Sequence, residues 1–332
     1  MTEAGTAEPV AGARPGRVAP AAPSSAGAAA GRRRRSGGRR RLEVVLLCAP
    51  ALALFTLFVL VPILLAGYHS LFNWTGFGPR TWDGLDNYKI AIDDPVFRSS
   101  ILHNLIIAGL SVAIQLPISI GLALLLNRRL RGQAVMRLLI FAPYVVSEAI
   151  AAVIWLLILE PGGFADHFLR VVGLGSAVQL WLGNPHIVLY TMFSVITWKY
   201  IGFGIILLLA GLQSIPAELR EAASTDGASA WETTRHIVLP LLGPTIRIWV
   251  FLSVIGSLQL FDLVWIMTAG GPANASSTMV TYLIHNGFNS YEFGFGSAVA
   301  VILFIVCFAF ALVYQRVAMR RDTAGSLTAM AG

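Results

Sequence analysis

Two ionisable residues, Glu148 and Lys199, stand near the middle of long apolar stretches of the sequence. A charged side chain at the centre of a membrane helix costs about 2.5–3.5 kcal/mol on insertion scales, so it usually pairs with another group or faces water. Glu148 and Lys199 therefore predict either a buried ion pair that fixes helix packing or two groups that flank a translocation cavity. The sequence leaves both alternatives open.

A second polar set lies near the end of another apolar stretch. Gln259 and Asp262 are three residues apart, and Trp265 follows on the same predicted helix face. Planar polar groups beside an aromatic ring suit a sugar, whose C–H faces stack on such rings. The same tryptophan is equally consistent with an interfacial or packing role. Gln115, in a stretch without charged residues, is a further candidate for the pathway.

Motifs for covalent or nucleotide chemistry are absent from the sequence. Lys89 and Lys199, the two lysines, neither follow Gly nor precede Ser or Thr, which excludes a phosphate-binding P-loop. None of the six histidines precedes Glu, which excludes the H-E-x-x-H zinc motif. Cys48 and Cys307 lie inside apolar stretches, so we expect neither a disulfide framework nor a cysteine metal site. We expect no catalytic residue, metal or cofactor, and ATP hydrolysis must come from another subunit.

The composition indicates which elements position these residues. The chain has 332 residues, 56% hydrophobic and 12% charged, with a mean hydropathy of +0.71, whereas soluble domains are about 25% charged. A bilayer core of about 30 Å needs about 20 apolar helical residues. Alternating β-barrel strands do not fit such long continuous stretches. The sequence predicts an all-α membrane protein with six transmembrane helices, at about residues 44–68, 101–126, 138–159, 187–212, 245–266 and 295–314.

The basic residues predict the orientation. Most of the 24 Lys and Arg residues lie in the N-terminal tail, the loops after the second and fourth spans, and the C-terminal tail. By the positive-inside rule, both termini are cytoplasmic. We interpret the arginines as a topology anchor at the membrane lipid and expect no nucleic-acid partner. The predicted domains are a disordered basic tail at 1–41, a membrane domain at 42–318 and a cytoplasmic C-terminal tail at 319–332.

The predicted cytoplasmic loop 214–240 has the local chemistry of two short helices. Gly227 suits the positive φ that ends a helix. Ser229 and Glu232 then have the S-x-x-E spacing of a capping box, which starts the second helix. We expect Pro240 to end this helix before the fifth span. An elbow of small residues either contacts another protein closely or lies on the membrane surface, and its periodicity does not decide between them.

The same loop resembles a family signature. It matches the pattern E-A-A-x(3)-G-x(9)-I-x-L-P of ABC importer permeases at Glu221, Ala222, Ala223, Gly227, Ile237, Leu239 and Pro240. Segments 84–88, 261–262, 268–272 and 292–294 resemble the first permease subunit of carbohydrate importers of the maltose and glycerol-3-phosphate type. The resemblance covers roughly residues 44–318. Glu148 departs from the family pattern, in which a small or apolar residue is usual.

This resemblance implies a type I importer permease fold in the bacterial inner (plasma) membrane. It implies a transport subunit that forms the pathway for a sugar or oligosaccharide and performs no covalent chemistry. The implied partners are a second homologous permease, two cytoplasmic ABC ATPase subunits and an external solute-binding lipoprotein. The elbow would occupy a cleft of the ATPase, and the docked binding protein would touch Gly270, Gly271 and Pro272.

Two alternatives stay open. The first keeps the fold and changes the cargo to a non-sugar solute such as phosphate, an amino acid or a polyamine. The second is a secondary transporter or channel that works alone, which would need inverted repeats and would have no reason to carry the loop signature.

Overall fold

A computed structural model describes residues 45–128 and 131–319, without the side chain of Met319. The basic tail at 1–41 and residues 320–332 lie outside the described residues, as do the predictions made for them. The chain divides into two compact units, one up to Val61 and one from Pro62 onward. Of the first unit, residues 45–61 are helical and exposed, and all but Thr56 are apolar.

Most of the described chain is helical. A two-residue hairpin adds β1 (Phe72–Asn73) and β2 (Thr81–Trp82), antiparallel with Phe72 opposite Trp82. The helices in chain order are α1 (Val45–His69), α2 (Asp86–Asp93), α3 (Pro95–Leu126), α4 (Gln133–Val145), α5 (Glu148–Leu159), α6 (Phe164–Val171), α7 (Val188–Gln213), α8 (Ala217–Thr225), α9 (Ala230–Leu241), α10 (Gly243–Leu258), α11 (Asp262–Met267), α12 (Met279–Leu283) and α13 (Phe293–Tyr314).

Four described helices are long and apolar enough to cross a membrane, namely α1, α3, α7 and the helix that contains α13. The number rises to six if each of two bent pairs counts as one span: α4 with α5, bent by 99°, and α9 with α10, bent by 64°. The arrangement is compatible with six spans. The predicted third and fifth spans are wrong in one respect, because neither is a single continuous helix.

The third span breaks at Val146 and Ser147, whose backbones are extended. Pro143, inside α4, lacks the N–H that would continue the helical ladder. Ser147 then caps α5 by accepting a hydrogen bond from the Ile150 N–H at 3.3 Å, as Ser commonly does at this position. The break leaves the last carbonyls of α4 without partners in their own helix.

The predicted fifth span, 245–266, breaks near its far end. Helix α10 ends at Leu258, and Phe261 takes a non-helical backbone with φ −140° and ψ −68°. Asp262 then begins α11. A carboxylate in the first turn is stabilised by the positive end of the helix dipole.

Small residues and a buried amide hold the bundle together. A Cβ on Gly202 of α7 would collide with the backbone carbonyl of Ile140 in α4, so glycine permits this close approach. Asn104 of α3 is fully buried, and its Nδ2 donates to the Ser257 carbonyl at 2.6 Å. Its Oδ1 accepts from the Met279 N–H at 2.9 Å. One side chain thus ties α3 to α10 and α12.

Candidate functional site

A cavity of about 430 Å³ opens where the two broken spans interrupt the bundle. Four of the predicted pathway residues line it: Gln115 from α3, Glu148 from α5, and Gln259 and Asp262 from the break between α10 and α11. Lys199 and Trp265 do not line it. The remaining lining is aromatic, aliphatic and hydroxyl-bearing, and includes Ser111, Tyr144, Tyr200, Phe203, Trp249, Ser253, Ser257 and Phe261.

Glu148 stands in the first turn of α5, half-buried at the cavity wall. The hydroxyl of Tyr200 on α7 donates a hydrogen bond to its Oε1. The carboxylate therefore has two sources of stabilisation, the phenol and the positive end of α5. Its unused oxygen lone pairs remain as acceptors at the wall.

Lys199 is 3% exposed, and its ammonium lies against the broken end of α4. Its Nζ donates to the carbonyl oxygens of Pro143 at 3.0 Å and Tyr144 at 2.9 Å, and also to that of Val146. A cation at a helix C-terminus satisfies orphan carbonyls and the negative dipole end together. Lys199 thus acts as the C-terminal cap of α4.

The direct ion pair that the sequence suggested for Glu148 and Lys199 is not formed. No salt bridge within 4.0 Å joins them in the described part of the chain. Each group instead uses partners of its own, the Tyr200 hydroxyl for Glu148 and three carbonyls for Lys199. The physical reason is the break in the third span, which creates unpaired carbonyls that compete for the ammonium.

The predicted common face of Gln259, Asp262 and Trp265 does not exist, because the helix breaks between the first two. Gln259 and Asp262 still reach the cavity from opposite sides of the break. The ring of Trp265 packs elsewhere, 5.6 Å from the Phe261 ring and 5.0 Å from the His285 ring, centroid to centroid.

Sequence reasoning missed the aromatic wall of the cavity. Tyr144 and Phe203 stack with centroids 5.0 Å apart, and Tyr200 lies 6.2 Å from Tyr144. The Lys199 ammonium lies 5.7 Å and 5.8 Å from the Tyr144 and Tyr200 centroids, within cation–π range. Their positions in the sequence could have indicated them, because Tyr200 directly follows Lys199 and Tyr144 directly follows Pro143.

The loop that carries the family signature folds as an elbow, defined here as α8, Gly227 and α9. Gly227 has φ +82° and no atom within 4 Å of an added Cβ. The capping box of Ser229 and Glu232 is confirmed, with N–H to side-chain hydrogen bonds of 2.8 and 3.3 Å. The carboxylate of Glu232 accepts from the Ser229 hydroxyl at 2.7 Å and from the Ser229 N–H at 2.8 Å, and these two bonds hold the pKa of Glu232 below its ordinary value. Helix α9 runs to Leu241, one residue past the predicted end at Pro240.

The signature residues divide into an exposed and a buried group. Glu221, Ala222 and Gly227 are exposed, whereas Ala223 is 7% exposed and faces the chain's own core. Two large apolar side chains of the elbow, Leu219 and Trp231, are also exposed. The remaining signature positions are half-buried at Ile237 and Leu239 and exposed at Pro240.

The loop around Gly270, Gly271 and Pro272 is tied down rather than free. Gly270 is buried, with φ +89°, and Gly271 and Pro272 are half-buried. The hydroxyl of Ser276 donates to the Gly271 carbonyl at 2.6 Å. The exposed part of this loop is Ala273 with the residue that follows it.

Comparison with known proteins identifies the class. Residues 115–322 match the family described as binding-protein-dependent transport system inner membrane component. The trehalose/maltose transport system permease protein MalF of Thermococcus litoralis is 34% identical over 83% of this chain and 94% of its own length. The sulfoquinovosyl glycerol permease SmoG of Agrobacterium fabrum is 34% identical over 84% and 91%. A crystallised bacterial importer of the acidic polysaccharide alginate has the same fold, with a TM-score of 0.75 at 23% identity over 87% of this chain and 99% of the solved chain.

These likenesses define a permease of the ABC importer class. The chain belongs to the family of binding-protein-dependent transport system inner membrane components, which confirms the resemblance drawn from the loop signature. It is a transport subunit of the inner membrane and not an enzyme.

Proposed function

We propose that this chain forms the translocation pathway for a sugar or oligosaccharide in an ATP-driven importer. The observation that carries the proposal is the cavity, where acidic, amide and hydroxyl groups stand beside a wall of aromatic rings. Permease relatives for trehalose and maltose and for sulfoquinovosyl glycerol support a saccharide cargo. The proposal includes six membrane spans at 42–318, with both tails in the cytoplasm.

The cavity chemistry suits saccharides in two ways. The Glu148 and Asp262 carboxylates and the amides of Gln115 and Gln259 accept hydrogen bonds from hydroxyl groups. The rings of the aromatic wall offer flat apolar faces for the C–H surface of a pyranose. A second, homologous permease would complete the cavity, and the pathway would open alternately to either side of the membrane.

Energy would enter through the elbow. We propose that α8 and the start of α9 sit in a cleft of one of two cytoplasmic ATPase subunits, with Glu221, Ala222 and Gly227 allowing close approach. Closure of the ATPases would move α9. Because α9 joins α10 through a 64° bend, that movement would reach Gln259 at the far end of α10, beside the cavity.

On the external side, a solute-binding protein would deliver the cargo. A related alginate importer has been solved with a pentasaccharide-bound periplasmic protein, which supports this arrangement. We propose that the binding protein docks at the loop of Gly270, Gly271 and Pro272, with Ala273 at its exposed tip.

The test is purification of the tagged chain in mild detergent, followed by mass spectrometry and an ATPase assay. The expected result is recovery of a P-loop ATPase and a second permease, with ATP hydrolysis stimulated by a sugar-loaded binding protein. Stimulation only by a non-sugar solute would refute the saccharide cargo. Transport by this chain alone in proteoliposomes would refute the importer assignment and support a stand-alone transporter.

A further inference from the structure

The charges that face the cavity have one sign. Among the described residues that line it, the formally charged side chains are the carboxylates of Glu148 and Asp262. The other polar lining groups are amides and hydroxyls, which carry no net charge. A cargo that enters this cavity therefore meets acids without a facing lysine, arginine or histidine from the described chain.

The nearby cation is turned away from the cavity. Lys199 is 3% exposed and does not line the cavity, and its ammonium donates to three carbonyls at the end of α4. Tyr144 and Tyr200 do line the cavity, and their ring centroids lie 5.7 and 5.8 Å from the Lys199 Nζ. The ammonium offsets part of the Glu148 charge, but its N–H groups are directed at the carbonyls and not at a cargo.

The N-terminus of α5 at the cavity already carries a carboxylate. Broken membrane helices often bind an anionic substrate through the positive end of a half-helix. Here Glu148 is the first residue of α5. The N-terminus of α5 carries roughly half a positive charge, less than the full negative charge of the carboxylate placed on it. The position that would attract a substrate anion is therefore negative.

We propose that the wall that this chain contributes to the cavity favours uncharged or amine-bearing saccharides over acidic ones. The inference rests on the proposed function and adds the charge class of the cargo. It distinguishes this chain from two proteins named for acidic cargo: the alginate importer of similar fold and SmoG, since sulfoquinovosyl glycerol carries a sulfonate. In this cavity Glu148 and Asp262 are specificity-determining residues, and Lys199 positions the broken span that presents Glu148.

Thiol reactivity measures the charge of the cavity without knowledge of the cargo. The Ser253→Cys substitution places a thiol on the cavity wall. It is made in the complete importer, in a chain whose own two cysteines are removed by Cys48→Ser and Cys307→Ser. The probes are a cationic reagent, methanethiosulfonate ethyltrimethylammonium, and its anionic ethylsulfonate analogue. We expect the cation-to-anion ratio of rate constants to exceed that of 2-mercaptoethanol by on the order of tenfold.

Two charge variants complete the test. Asp262→Asn and Glu148→Gln should each lower the ratio toward that of 2-mercaptoethanol. A Leu180→Cys thiol, on an exposed loop, should keep its ratio in both variants. The charge preference is refuted, and the proposed pathway is not, if the Ser253→Cys ratio is equal to or below that of 2-mercaptoethanol. The same conclusion follows if the ratio is unchanged in both charge variants. If the Ser253→Cys thiol reacts with neither reagent, with or without ATP, the cavity excludes water, and the proposed pathway fails together with this inference.

Discussion

The Gly227→Leu substitution tests the elbow most cleanly, because the structure gives it a small cost within the chain. Gly227 has φ +82°, and an added Cβ meets no atom within 4 Å. The substitution therefore causes no collision inside this chain. It adds backbone strain of about 1–2 kcal/mol, the cost of a left-handed conformation for a residue with a Cβ. A folded domain, whose stability is roughly 5–15 kcal/mol, tolerates that strain.

The larger cost is expected at the ATPase. A leucine forced into a close-packed contact costs about 1–3 kcal/mol, and each 1.4 kcal/mol lowers an affinity about tenfold. We therefore expect the ATPase that co-purifies with the Gly227→Leu chain to fall by roughly tenfold to a hundredfold. Quantitative mass spectrometry of the purified complex, normalised to this chain, measures that ratio.

Gly173 supplies the matched control. It has φ +81° and, like Gly227, no atom within 4 Å of an added Cβ, and it lies on the predicted external side. Gly173→Leu carries the same backbone strain and should leave the ATPase ratio unchanged. Undiminished ATPase recovery from the Gly227→Leu chain would refute the coupling role of the elbow. Equal losses in both would show that strain, rather than a lost contact, is responsible.

Three further predictions concern packing and capping. Gly202→Ala should destabilise the purified complex by about 1–3 kcal/mol in thermal unfolding because its methyl meets the Ile140 carbonyl. Gly109→Ala, also inside a helix but with open space around its Cβ, should leave the complex at least as stable. Asn104→Leu orphans a buried N–H and should cost about 1–3 kcal/mol in the same assay. The lowered pKa of Glu232 means that its cap stabilises α9 above the ordinary carboxyl pKa and is lost as pH falls through the lowered one. The amide hydrogen-exchange rates of residues 230–233, corrected for intrinsic rates, should rise as the pH falls through the lowered pKa of Glu232. The Glu232→Ala variant should show no such rise.

The uninterrupted spans were predictable from the sequence because an apolar stretch of bilayer length has few alternatives to a membrane helix. The apolar helix predicted at 187–212 corresponds to the helix Val188–Gln213, and the one predicted at 295–314 corresponds to the helix Phe293–Tyr314. The elbow was also predictable, since Gly227 and the capping box act through local geometry. Such features depend on neighbours in the sequence rather than on the tertiary fold.

The broken spans were not predicted, because hydropathy averages over a break of two or three residues. Pro143 and Ser147 carried a local signal for the first break, as a helix-interior proline followed by a strong N-cap residue. Polar groups inside apolar stretches indicated four of the residues that line the cavity, whereas the aromatic wall and the partners of Glu148 and Lys199 were not predicted. Lys199 binds carbonyls that exist as free acceptors only after the third span has broken.

Site-specific photocrosslinking at Trp231 is the measurement that shows whether an ATPase contacts the elbow, through which we propose that it drives this pathway. Trp231 and Trp82 are both 67% exposed, and they are predicted to lie on opposite sides of the membrane. With p-benzoylphenylalanine at each position in turn, we expect an adduct with a P-loop ATPase at position 231 and none at position 82. Absence of that adduct at position 231 in an assembled complex, or its appearance at position 82, would refute the coupling of an ATPase through the elbow.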